Sequence, residues 1–200
     1  MEHLLTFYYA TIFLLLVLLG FALGAGGGGW LKADLKACFV CIGLLVCIAG
    51  PLVYSTNLRA AHADVCMKSA HAYHAKGGAR ESQALFQRTI SLDPMEDRYY
   101  LSFAEDLFAQ AKRAGRTSGR ERLTDRSSRL LAQAQALAPY KYEPIADLGM
   151  LYTWWATATT DREIMDARGR TADKYYEQVL TLSPNHVNFW TERAYVNMRV

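Results

Sequence analysis

The chain has 200 residues, 52% of them hydrophobic and 20% charged, with a formal net charge of +3. Of its 22 lysines and arginines only Lys32, Lys36 and Arg59 precede residue 61, and of its 19 acids only Glu2 and Asp34 do, so residues 61–200 are close to neutral. That balance excludes a general attraction to nucleic acid, and the four cysteines, three of them inside one apolar stretch, exclude a disulfide framework.

Residues 4–23 run without a charge, and residues 37–54 do so again, interrupted only by Pro51. Each stretch is long enough to cross a hydrocarbon core as a helix, so the sequence predicts a membrane domain over 1–58 with two transmembrane helices, about 4–23 and 37–54. Met1-Glu2-His3 has no lysine or arginine and a second apolar segment follows at once, which favours a retained helix over a cleaved leader. The glycine-rich run 24–29 joins the two helices, with Trp30 placed for the membrane interface. It is not a phosphate-binding loop, because no strand precedes it and no Gly-Lys-Ser/Thr follows. Cys38, Cys41 and Cys47 serve in the second span as small apolar residues. The expectation is a multi-pass integral membrane protein with the lipid bilayer as one partner. Lys32 and Lys36 in the loop are matched by Arg59 and Lys68 beyond the second span, so the positive charges leave the side of the remaining chain open.

From residue 59 onward apolar and small residues recur at spacings of three and four, which predicts helices near 60–76, 80–92, 96–114, 121–138, 142–159, 163–182 and 186–200. Gly77 and Gly78, the Gly115–Gly119 stretch and Pro94, Pro139 and Pro184 supply the stops, while Asp93, Ser183 and Asn185 are positioned as caps. Arg113, Arg116, Arg120, Arg122, Arg126 and Arg129 flank a Gly/Ser/Thr loop and read as a solvated face.

The three prolines fall 45 residues apart, and each closes a stretch of the same design. Counting back from them, a small residue recurs at Ser82, Ser127 and Ala172, a bulky one at Phe86, Leu131 and Tyr176, and a further packing position at Thr89, Ala134 and Val179. Such a period marks stacked units that bury one continuous core. Leu148, Gly149 and Tyr152 spell Leu-Gly-x-x-Tyr, and with the small, bulky and proline positions they resemble the tetratricopeptide repeat (TPR). The resemblance implies an all-α fold, a two-helix membrane hairpin followed by a TPR-type α-α superhelix over 59–200. Its units would span about 63–96, 97–141 and 142–186, with a partial unit at 187–200. The second and third units exceed the 34-residue repeat by 11 residues, expected as insertions between their helices near 114–120 and 158–164. The last helix would expose Phe189, Trp190 and Tyr195, as if the chain continued or another molecule covered it.

A broader likeness concerns the arrangement. Two apolar spans, then Asn57-Leu58-Arg59, Ala63-Asp64 and the segment Asp93-Pro94-Met95-Glu96-Asp97-Arg98-Tyr99-Tyr100, resemble the C-terminal part of bacterial O-antigen ligase or polymerase-like membrane proteins that carry TPR repeats. This implies a bacterial cell membrane and a place in envelope polysaccharide assembly, with other membrane proteins of that system as partners. The alternative it implies is a fragment of a glycan-transferring enzyme whose catalytic part is missing. The preceding membrane helices and the external loop of Arg and His residues are absent, so no catalytic residue is carried over.

No catalytic, cofactor or metal site is expected from the residues themselves. His71 and His74, with Asp64 and His62 nearby, lack a fixed third ligand, and the acids Glu105, Asp106, Glu143 and Asp147 are spread over different helices. By resemblance to TPR arrays the first helix of each unit builds a concave face that receives a protein or peptide partner. That face would hold Asp64, Met67, His71, His74, Arg98, Leu101, Glu105, Phe108, Glu143, Met150 and Trp154. The most direct expectation is a membrane-anchored scaffold that binds protein and performs no reaction of its own.

Overall fold

The computed structural model describes Gly43, Tyr54, residues 58–115 and residues 118–199. The chain divides into two compact units, Met1–Ala61 and His62–Val200. The spans expected at 4–23 and 37–54 lie, apart from Gly43 and Tyr54, outside the described residues. Among the described residues no helix is long and apolar enough to cross a membrane.

Seven α-helices are described: α1 (Arg59–Ala75), α2 (Ala79–Leu92), α3 (Asp97–Arg113), α4 (Ser118–Leu137), α5 (Glu143–Thr157), α6 (Arg162–Leu182) and α7 (Val187–Arg199). They pair as successive hairpins, α1 with α2, α3 with α4 and α5 with α6, while α7 opens a further one. The first hairpin turns at Gly77, whose φ of +80° only glycine adopts without strain. The next turns follow a shared recipe. The amides of Asp93, Ala138 and Ser183 each close on the carbonyl four residues back, that of Thr89, Ala134 and Val179, and a proline then prevents continuation.

The 11 extra residues of the second and third units are not insertions between helices. They lengthen the helices: α4 has 20 residues and α6 has 21, against 14 in α2. The connections that remain, 114–117 and 158–161, are short. Gly119 lies in the first turn of α4, where an amide needs no intrahelical acceptor and glycine costs little. Asp93 and Ser183 cap the C-termini of α2 and α6 rather than starting the next helix. One carboxylate that does cap an N-terminus is Asp161, which accepts from the amides of Glu163 and Ile164 at 3.0 and 3.2 Å.

The repeat positions form the core. Ser82, Ser127 and Ala172, then Phe86, Leu131 and Tyr176, then Thr89, Ala134 and Val179 are all buried. Small residues let the paired backbones approach, close enough for Ser127 Oγ to donate to the carbonyl of Ala104 at 2.8 Å. Each core cluster joins the second helix of one hairpin to the first helix of the next. Phe86 stacks on Phe103 at 5.3 Å beside Leu107, Leu131 meets Leu148 and Leu151, and Tyr176 meets Val196. Apolar burial thus runs from unit to unit, the arrangement that makes a solenoid stable as a stack.

Adjacent aromatics divide between faces because neighbours on a helix point about 100° apart. Tyr99 is buried and donates to Asp64 at 2.8 Å, while Tyr100 reaches the Pro94 carbonyl at 3.0 Å. Trp190 repeats the second contact on Pro184 at 2.9 Å. Phe189, expected to be exposed, packs instead on Tyr142 and His186. The arginines expected to be solvated do structural work in two cases. Arg120 donates to the Ala158 carbonyl beyond α5 at 2.9 Å, and Arg126 lies over the Phe103 ring at 4.9 Å.

Candidate functional site

The first helices α3, α5 and α7 line a groove of about 520 Å³. Its aromatic wall is Phe108 of α3 set edge to face against Trp154 of α5, with centroids 5.3 Å apart. Met150 and Tyr195 add exposed apolar surface. Three carboxylates open into the same space, Glu105 from α3, Asp147 from α5 and Glu192 from α7, and Lys112 is its one lining cation. Lys112 Nζ sits 4.0 Å from the centre of the Phe108 ring, close enough for a cation–π contact.

Asp147 is held under electrostatic strain. Burial first, then the charges of Glu105 and Glu143, raises its carboxyl from 3.8 to about 6. The folded chain therefore holds this proton more tightly than the unfolded chain does. Its effect on stability is neutral below about 4, grows unfavourable as the pH rises from about 4 to about 6, and is constant above that, opposite to an ion-paired carboxylate. Asp173 shows the ordinary case, held below its usual range chiefly by the hydrogen bond from Arg193 at 2.7 Å.

Of the residues the sequence placed on the concave face, Glu105, Phe108, Met150 and Trp154 line this groove. The others are placed differently. Asp64 and Arg98 pair with each other at 3.0 Å and join α1 to α3. His74 pairs with the buried carboxylate of Asp106. The His71 ring lies edge-on to Phe86 at 5.2 Å, and Met67 and Leu101 pack against core clusters. Glu143 is exposed at the start of α5.

Asp147, Lys112, Glu192 and Tyr195 were absent from the expected set. The repeat period could have found all but Lys112: Asp147 and Glu192 are 45 residues apart, as are Glu105, Met150 and Tyr195 in sequence, so each set occupies one register of the first helices. Among the described residues no cluster of three or more metal-binding side chains occurs.

Successive helical hairpins with small residues at the crossings and a groove along their first helices define the tetratricopeptide type of α-α superhelix. Solved structures share this fold. The first TPR of Spaghetti (RPAP3), bound to the HSP90 peptide SRMEEVD, superposes with a TM-score of 0.51 at 18% identity, over 70% of this chain and 96% of that one. MamA superposes with a TM-score of 0.50 at 14% identity, over 73% of this chain and 71% of that one. No protein-family model and no curated protein sequence matches this chain.

Proposed function

We propose that the helical repeats form a scaffold that binds a peptide segment of another protein, held at a membrane by the two apolar stretches. The observation that carries the binding role is the groove itself, where Phe108, Met150 and Trp154 present apolar surface beside carboxylates that make no ion pair among the described residues. Half-exposed aromatics in a concave surface are the usual anchors of peptide recognition. Phe108→Ala and Trp154→Ala should each weaken capture of short synthetic peptides about tenfold or more, read by fluorescence anisotropy with the purified full chain. Failure of every peptide to bind would remove the scaffold reading. An acidic peptide such as SRMEEVD, which the Spaghetti domain holds, suits this groove poorly, because Glu105, Asp147 and Glu192 would repel it.

The tether is supported by the uncharged lengths of residues 4–23 and 37–54. Anchoring would raise the effective concentration of a bound partner near the bilayer. The full chain should remain with membranes through an alkaline carbonate wash, and its release by that wash would overturn the tether. Cys66 is buried, so the side of the membrane is better reported by a cysteine placed at exposed Lys68. The setting in envelope polysaccharide assembly rests on the sequence resemblance alone.

A further inference from the structure

We infer that the groove is built for a cationic side chain, a lysine or arginine of a peptide with apolar neighbours, its charge lodged among Glu105, Asp147 and Glu192 and its stem lying along Phe108, Met150 and Trp154. The inference rests on the groove being the peptide site and adds the chemistry of the ligand.

Two independent features carry it. The first is charge: the lining residues hold three carboxylates against the single ammonium of Lys112, and the carboxylates come from three separate helices. Their convergence is a property of the stack and not of one helix sequence. The second is the aromatic wall, which already receives cations of the chain itself. Lys112 stands over Phe108 at 4.0 Å, and the guanidinium of Arg120 lies 5.9 Å from the centre of Trp154. Both rings therefore sit within range of a positive charge, and a lysine or arginine stem has the apolar length to cover Met150 while its head reaches the acids.

Protonation of Asp147 supplies a signature. The charged groups around it are Glu105 and Lys112 on α3, Glu143 on its own helix and Glu192 on α7, with the phenols of Tyr195 and Tyr176 as the neutral neighbours. In the free groove its carboxyl takes up a proton as the pH falls through about 6, so a cationic ligand loses one of its three counter-charges there.

The test uses the purified full chain and short synthetic peptides identical except for one central residue, which is lysine, arginine, norleucine or glutamate. The lysine and arginine peptides should bind about tenfold more tightly than the norleucine peptide at neutral pH, and the glutamate peptide more weakly still. Glu105 and Glu192 are exposed, so Glu105→Gln with Glu192→Gln should keep the fold and cut the lysine advantage to about threefold or less. Below pH 6 the lysine advantage should shrink, and Asp147→Asn should abolish that pH step. Norleucine or glutamate binding as tightly as lysine would overturn the inference, as would a lysine advantage unchanged in the double variant. If the neutral peptides bind and Trp154→Ala weakens them, the scaffold reading survives that result. If no peptide binds in any arm, both fall.

Discussion

Replacing Tyr176 by alanine is expected to lower the unfolding free energy by about 3–5 kcal/mol, because it empties a fully buried aromatic site. The ring lies directly on Gly149. A Cβ built on that glycine would stand 3.0 Å from both Cε1 and Cζ of Tyr176, tight enough that the buried ring would have to give way. Gly149→Ala should therefore be destabilising by about 1–3 kcal/mol, even though alanine in a helix interior is ordinarily favoured over glycine by about 1 kcal/mol. The sign of that change is decided by the partner. At the corresponding position of the preceding unit Ala104 faces Leu131, and in the first unit Ala70 faces Phe86, so a Cβ is accommodated where the opposing side chain is not a tyrosine. In a Tyr176→Leu background the clash is gone, and Gly149→Ala should become neutral or stabilising. Urea unfolding followed by far-ultraviolet circular dichroism on the four proteins of this cycle measures the coupling directly. A coupling energy near zero would mean that the ring does not select the glycine.

The same residues show what could be read beforehand. Proline spacing and the small and bulky positions identified the repeat, because every one of those side chains touches a neighbour fixed by helical period alone. Helix ends came within a few residues for the same reason. The extra 11 residues were misassigned because Gly115, Gly119 and the intervening Ser and Thr look like loop chemistry, whereas the helix of Ser118–Leu137 starts within that segment. Contacts across the stack were less legible. Whether Asp64 and His74 face a ligand or a neighbouring helix depends on the angle between hairpins, which no periodicity encodes. Asp147 and Glu192 were legible in principle, since they share a register, but their convergence on Glu105 needs the rotation between units as well.

His74, expected on the binding face, is instead predicted to act on stability. It meets Asp106, whose side chain is only 2% exposed, while its own imidazole stays at the rim with 21%. The second oxygen of Asp106 accepts from Gln110 Nε2 at 2.8 Å. Gln110 in turn accepts from Gln83 at 2.7 Å, and Gln83 from Arg126 at 3.2 Å. The chain of bonds thus links α1, α2, α3 and α4 around one buried carboxylate. Removing only the imidazole leaves one oxygen of that carboxylate without its partner, and His74→Ala should cost about 1–3 kcal/mol, the usual penalty for orphaning a buried polar group. Removing both polar groups is a different change. His74→Leu with Asp106→Leu replaces the pair by apolar contacts beside Phe103 and Leu107, and it should cost much less than the single substitution, since no buried charge remains. Thermal unfolding of the two variants against the parent distinguishes the cases. If His74→Ala melts like the parent and loses only peptide affinity, the imidazole belongs to the ligand after all, and the binding face extends onto α1.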